Sequence, residues 1–417
     1  MHEGSLGRRL GVALVAAGVF GLGGAAQAAP PQPFFHTVGT QTVAKPTSWA
    51  SVTPRRDAGT LRAEGFALLA AGDRAGAADK LAAAADEGSD DANLLRLLGD
   101  LRFHQQRKVD AVAAWTRALA LRPADAGLLE RNAHGAIEVG DYAAAAAAEA
   151  RLVDLIEARV QGGAPLVGLL GSAHRPVAEL FVHHLVRLSE AATLAGDFTV
   201  AERAARRCIT FAPKRVEGHL ALAYMHLQAA EYDDAAILYH EVLAVEPANA
   251  IALNNLGNVY YMDRDLDGAS AHFEKVLEVE GISAHGQSLA LANLGELLQL
   301  QGAYRDAEGL YREAALAQPE GAWSYMGLAA LYDITGRYDA AIEAMIDGWE
   351  RDGNRMTRLN MHFFQPEWAW QRDALIAEIE GDADLAAALW QRVVEGDVPA
   401  LQKAAAHHLR SLDLAAE

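Results

Sequence analysis

Small residues and prolines recur along most of this chain at offsets of 34 residues, and this period restricts the possible folds more than any other feature. A fixed period of about 20–50 residues is typical of stacked structural repeats and not of one globular core. Within each period, small positions and leucine or aromatic positions follow helical spacing. The sequence therefore predicts antiparallel pairs of α-helices, about 34 residues to a pair.

Residues 250–283 show the pattern clearly. Gly257 and Ala269 are small enough to let two helices approach, and Tyr260 and Phe273 fill the space between this pair and the next. Prolines near the ends of other units stop their second helices. We count nine such units, the last of them degenerate.

These residue types at this spacing resemble the tetratricopeptide repeat family. The resemblance implies an all-α, right-handed α-solenoid of about nine helix pairs that binds proteins, closed by a C-terminal capping helix. The expected organisation is a signal peptide at 1–28, a flexible lead-in at 29–57, units 1–3 at 58–159, an insertion at 160–181, units 4–8 at 182–355, an aromatic insertion at 356–366, and unit 9 with the cap at 367–417.

The N-terminal residues predict export. Arg8 and Arg9 precede a short apolar stretch that ends in the small-residue cleavage pattern Ala26-Gln27-Ala28. Gly7 and Gly11 fit a twin-arginine signal poorly, so the general secretory route is the preferred interpretation. We expect a periplasmic protein, with secretion beyond the periplasm as the alternative.

The formal charge of −19 disfavours nucleic acid as a partner. After the signal, no stretch is long and apolar enough to predict insertion into a membrane. The expected partner is a protein or an extended peptide. The oligomeric state is left open.

In the tetratricopeptide repeat family, the first helix of each unit faces a concave groove, and an asparagine before the Leu-Gly pair can hold a peptide backbone. Asn255 and Asn293 occupy that place, which resembles the asparagine ladder of O-linked N-acetylglucosamine transferases. A side-chain amide can pair with both the N–H and the C=O of an extended ligand. The alternative is that these are ordinary helix-surface residues. The candidate groove residues are Tyr224, Asn254, Asn255, Asn258, Tyr261, Asn293, Gln299, Trp323 and Met326.

A second pattern matches the spacing of an EF-hand calcium loop, with Asp263, Asp265, Asp267 and Glu274 as the ligands. The repeat register instead places a helix over Ala269 and the residues after it, and acidic residues are favourable where a helix starts. Calcium is thus the weaker interpretation, and no metal site is expected.

Known motifs for nucleophilic catalysis, phosphate binding and dinucleotide binding do not occur in the sequence, so an enzyme is not expected and no cofactor is implied. The alternative function is a scaffold for the synthesis or export of an exopolysaccharide. Trp323, Trp368 and Trp370 would then hold the glycan or its synthase.

Overall fold

The computed structural model describes residues 57–88, 91–161, 177–353, 357, 361, 363 and 365–416. Over these residues the chain forms nineteen helices and no strand, which confirms the all-α class. The described residues divide into two compact units, distinct from the 34-residue repeats, one before and one after the boundary at residues 89 and 90. The predicted signal peptide and all of the lead-in except Asp57 lie outside the described residues.

The first unit contains one helix pair, α1 (Ala58–Ala70) and α2 (Arg74–Asp86). Both helices start with a capping aspartate: the Asp57 carboxylate accepts from the backbone N–H of Thr60, and the next cap repeats this geometry. Leu81 of α2 is fully buried and packs against Gly65 of α1. The lack of a side chain at Gly65 lets the two helices approach this closely.

The second unit is a solenoid of eight helix pairs followed by one more helix, so the described chain holds nine pairs in all, as the period predicts. Its helices are α3 (Ala92–His104), α4 (Lys108–Leu121), α5 (Ala126–Glu138), α6 (Tyr142–Gln161), α7 (Val177–Leu194), α8 (Phe198–Phe211), α9 (Glu217–Gln228), α10 (Tyr232–Val245), α11 (Ala250–Met262), α12 (Leu266–Leu277), α13 (Ala284–Leu300), α14 (Tyr304–Ala317), α15 (Ala322–Ile334), α16 (Tyr338–Arg351), α17 (Pro366–Glu380), α18 (Ala383–Glu395) and α19 (Pro399–Ala416).

The two predicted insertions are described only in part. Residues 162–176 of the first lie outside the described residues, and the helices α6 and α7 extend into its two ends. In the second, Phe363 is buried and lies under the guanidinium of Arg372, 5.4 Å from its ring centre. No helix of the described ranges is both long and apolar enough to cross a lipid bilayer.

One turn conformation recurs between the two helices of every pair. A single residue there has a positive φ, at Gly72, Gln106, Gly140, Gly196, Ala230, Arg264, Gly302, Gly336 and Gly381. Glycine adopts this left-handed conformation without strain, whereas a side chain raises its energy by about 1 kcal/mol. The recurring glycines of the sequence therefore mark the reversal of the chain inside each pair.

Aromatic side chains of second helices join one pair to the next. Tyr311 of α14 lies between Gly295 of its own pair and Gly327 of the following pair, where a Cβ would come within 3.1 Å and 2.3 Å of its ring. Trp115 of α4 sits in the same way between Gly99 and Gly135. Each ring is buried because both neighbouring first helices lack a side chain at the contact.

The predicted capping helix α19 is held by a buried charged group. Its Leu401 and Ala405 are fully buried. The two ring nitrogens of His408 lie 2.8 Å from Asp333 of α15 and 2.8 Å from Glu378 of α17. Its ring also stacks on Trp390 at 4.4 Å. Burial lowers the pKa of His408, but the two carboxylates outweigh this effect and raise the pKa to about 9.

Gly257→Ala should destabilise the solenoid by about 1–3 kcal/mol through overpacking. The new methyl group would lie 2.5 Å from the ring of Phe273, which is buried and has no room to move away. Gly309→Ala is the matched control, because a Cβ at that exposed helical position meets no other described atom within 4 Å. The control should gain about 0.5–1 kcal/mol from helix propensity. Urea denaturation followed by circular dichroism measures the free energy of unfolding of both variants. Equal changes in the two variants would contradict the packing described.

The stabilisation from His408 should depend on pH. Since its pKa is raised from about 6.5 to about 9, this contribution is complete below pH 6.5, reaches at most about 3 kcal/mol, and is lost as the pH rises through 9. The melting temperatures of the wild type and His408→Gln should therefore differ most at pH 6 and converge by about pH 9.5. The exposed His240→Gln is the control, and a gap that stays constant with pH would rule the mechanism out.

Candidate functional site

A cavity of about 780 Å³ runs along one side of the second unit. It is lined mainly by the first helices of six successive pairs, α7, α9, α11, α13, α15 and α17, and we call it the groove. Second helices add residues that include Phe273, Tyr311 and Arg351. The structure brings all nine candidate residues together there: Tyr224, Asn254, Asn255, Asn258, Tyr261, Asn293, Gln299, Trp323 and Met326. First helices form most of its wall because aromatic side chains of second helices, such as Tyr311, pack in the contacts between pairs.

The nine candidates do not face the groove to the same extent. Asn254, Tyr261, Gln299 and Met326 are buried, with exposures of 6%, 5%, 4% and 1%. The remaining five, Tyr224, Asn255, Asn258, Asn293 and Trp323, are half-buried. The buried four therefore form the floor of the groove, and the half-buried five offer most of the surface that a ligand can touch.

A network of amides joins two adjacent first helices. Asn293 Nδ2 of α13 donates to Asn254 Oδ1 of α11 at 2.9 Å, and Asn254 Nδ2 donates to Asn255 Oδ1 at 3.3 Å. Asn293 and Asn255, the two asparagines of the predicted ladder, thus each spend one hydrogen-bonding group on Asn254. Asn258, one turn further along α11, makes no side-chain hydrogen bond to any described residue, so its donor and acceptor both remain for a ligand.

Glu296 is a groove residue that the sequence analysis missed. It follows Gly295 just as Asn258 follows Gly257, and this equivalence in the repeat could have identified it. The hydroxyl of Tyr261 on α11 donates to Glu296 Oε1 at 2.5 Å, so this bond joins one helix pair to the next. Burial raises the pKa of Glu296 to about 7, although this hydrogen bond and the charge of Arg372 act in the opposite direction.

Acidic residues outnumber basic ones in the groove lining. The carboxylates are those of Glu190, Glu217, Glu296, Glu320 and Asp352, and the cations are Arg351 and Arg372. Both arginines are engaged by neighbouring acids: Arg351 bonds to Asp347 at 2.8 Å, and Arg372 to Asp373 at 3.0 Å. The groove therefore presents a negative potential to a ligand.

The three tryptophans of the glycan alternative differ in their surroundings. Trp323 and Trp368 line the groove, but Trp368 is only 8% exposed and its indole N–H donates to Gln365 at 3.2 Å. The guanidinium of Arg392 covers the ring of Trp370 at 4.4 Å. Of the three, Trp323 is the one placed to stack on a ligand in the groove.

Asp263, Asp265 and Asp267 of the predicted calcium loop lie in the turn between α11 and α12 and at the start of α12, and Glu274 lies in the C-terminal half of α12. Asp265 caps α12 by accepting from the N–H of Gly268 at 2.9 Å, and Glu274 accepts from Ser270 on the helix surface at 3.1 Å. Within the described ranges, possible metal donors converge instead at His226, Glu231 and Asp234, whose ligand atoms lie within 4.8 Å of one another. None of the three is among the residues that line the groove.

Comparison with known proteins places the repeats. Models of the tetratricopeptide repeat match residues 248–315, and others of that description match residues 62–126 and 293–353. The chain is similar to the cellulose synthase operon protein C of Xanthomonas axonopodis pv. citri (strain 306), with 27% identity over 337 residues, 80% of this chain and 18% of that protein. The protein of that name from Pseudomonas fluorescens (strain SBW25) is 29% identical over 169 residues, 40% of this chain and 13% of that protein.

The chain thus spans less than a fifth of the length of these curated relatives. Among solved structures, it is similar to a tetratricopeptide repeat protein from Parabacteroides merdae ATCC 43184, with 17% identity, a TM-score of 0.43, and coverage of 63% of this chain and 93% of that one. Yeast Tom70 gives 13% identity and a TM-score of 0.41 over 86% of this chain and 96% of that one. Similarity at this level concerns the helical fold and no functional residue.

The two asparagines of α11 should respond differently to alanine. Asn254→Ala removes the buried centre of the amide network and leaves the Nδ2 group of Asn293 without its acceptor, which should destabilise the protein by about 1–3 kcal/mol. Asn258→Ala breaks no hydrogen bond to the described chain and should change stability by less than about 0.5 kcal/mol. Denaturant titration distinguishes them; a large loss with Asn258→Ala would show that this amide has a structural role.

Proposed function

Since the chain is a member of the tetratricopeptide repeat family, we propose that it is a non-enzymatic interaction scaffold whose groove binds an extended peptide segment of another protein. Tetratricopeptide repeats are protein-interaction scaffolds, and this coarser role follows from the family. The observation that supports a peptide ligand is the free amide of Asn258 beside a floor of buried polar side chains.

An extended peptide suits this lining chemically. Each of its residues presents one N–H and one C=O, which an asparagine amide can pair with both at once and without reading the sequence. Asn258 has both groups available, and Gln299 uses its Oε1 to accept from Tyr311 at 3.3 Å while its Nε2 donates to no described residue. The length of the groove, six first helices, favours a chain-like ligand over a compact one.

The N-terminal pattern supports export, so we propose the bacterial envelope as the place of action and an envelope protein as the partner. Assembly or tethering of a complex is the role that a long groove fits best. The relatives carry the name of a cellulose synthase operon component, which agrees with a task at an exported polysaccharide machinery.

The same name favours a second candidate, a scaffold that binds the glycan or the synthase directly. Trp323 supports it, because a half-buried indole in a groove can stack on a sugar ring. The two candidates depend on different side chains. Peptide binding requires the amide of Asn258, whereas glycan binding requires the ring of Trp323.

Photocrosslinking tests the peptide proposal. The photoreactive residue p-benzoylphenylalanine in place of Tyr224 should yield discrete crosslinked proteins in the native envelope, and Asn258→Ala should weaken these bands severalfold. The same residue in place of the exposed Glu313 should not yield them. Bands that do not change with Asn258→Ala would refute the backbone-binding role. Binding of soluble cello-oligosaccharides in calorimetry, lost with Trp323→Ala but not with Asn258→Ala, would establish the glycan candidate instead.

A further inference from the structure

The carboxylate of Glu296 is only half satisfied by the protein. Its Oε1 accepts from the hydroxyl of Tyr261, and its Oε2 has no hydrogen-bond partner among the described residues. The guanidinium of Arg372 acts on it through its charge, but is bound to Asp373. A partly buried carboxylate that lines a cavity in this state favours a cation from outside, because pairing offsets its loss of hydration.

A second observation comes from the same helix. Gln299 lies one turn after Glu296, is 4% exposed, and lines the groove. Its Oε1 is occupied by the Tyr311 hydroxyl, while its Nε2 has no acceptor in the described part of the chain. The rest of the side chain is buried while this nitrogen is open to the cavity, so its N–H groups are placed to donate to a ligand oxygen beside Glu296.

A ligand for this place needs a positive group and a carbonyl oxygen close together. Among the five carboxylates of the lining, Glu217 is bound to Arg215 and Asp352 accepts from the backbone N–H of Thr357. The other three, Glu190, Glu296 and Glu320, make no ion pair to a described residue and favour a cationic ligand, and both arginines of the lining are paired. We infer that the bound peptide carries a lysine or arginine side chain that pairs with Glu296, while Gln299 donates to a backbone carbonyl next to it. This inference rests on the proposed function, since it names the residue that a peptide in the groove must carry.

Affinity for such a peptide should depend on pH. The groups that face Glu296 are Tyr261, Tyr311 and Arg372, and both tyrosines stay neutral because burial raises their pKa values. Since the pKa of Glu296 is about 7 in the free groove, its ionised fraction falls about tenfold between pH 8 and pH 6. Glu190 also lines the groove and has a pKa raised to about 7 by burial, so a variant of Glu296 is needed to separate the two.

The test uses the full-length chain and a phage-displayed library of random nonapeptides. Selected peptides should share a lysine or arginine at one position. In a synthetic copy, replacing that residue with norleucine or citrulline should weaken binding to the wild type by about tenfold or more, as measured by fluorescence anisotropy. Against Glu296→Gln the same replacement should have little effect, and the roughly tenfold loss of affinity from pH 8 to pH 6 should shrink. Glu313→Gln, an exposed acid on α14, should behave as the wild type.

The outcomes separate the inference from the function it rests on. Peptides that bind without a basic residue, or that keep their affinity with norleucine, would overturn the role of Glu296 and leave a peptide groove. A library that yields no binder would overturn both. The norleucine comparison needs only the wild-type chain, so it can still overturn the inference if Glu296→Gln is unstable. Glu190→Gln then replaces it in the assignment: full retention of the basic-residue requirement in Glu190→Gln supports Glu296, and its loss overturns the inference.

Discussion

The stacking of pairs depends on second-helix side chains that pack closely against first helices, and twice in the described chain an aromatic ring lies between two first helices that carry glycine at the contact. Tyr311 between Gly295 and Gly327 is the clearest case. A ring buries a large apolar area only if the facing backbone comes close, and a Cβ at either glycine would hold it away. The same ring therefore closes one pair and fixes the next, and no pair buries its apolar face alone.

This arrangement determines where a ligand site can form. The second helices commit their aromatic side chains to the contacts between pairs, so the first helices are left to line one continuous side. Their polar residues then serve two purposes. Asn254 and Asn293 tie α11 to α13, and Tyr261 ties α11 to Glu296. The stacking of pairs thus engages several side chains of the groove, and the residues left to bind a ligand are those the stacking does not use.

Electrostatics distinguish the groove from the end of the array. At the cap, His408 is held between two carboxylates as a buried cation, and its charge is satisfied within the protein. In the groove, Glu190, Glu296 and Glu320 line the cavity without an ion pair to a described residue, and the arginines are bound to other acids. The protein as a whole carries −19, so a cationic segment would be attracted from a distance as well as on contact.

The sequence by itself determined the repeat, the helix pairs, the packing of Gly257 against Phe273, and nine of the side chains that line the groove. These follow from local periodicity, because a helix places residues at fixed spacing on one face. Only the tertiary structure decided which amides are already hydrogen-bonded. It also decided that Tyr261 contacts Glu296 and that His408 contacts Asp333. Those partners lie 39, 35 and 75 residues apart, and they meet through the rotation of each pair on the last, which local spacing does not encode.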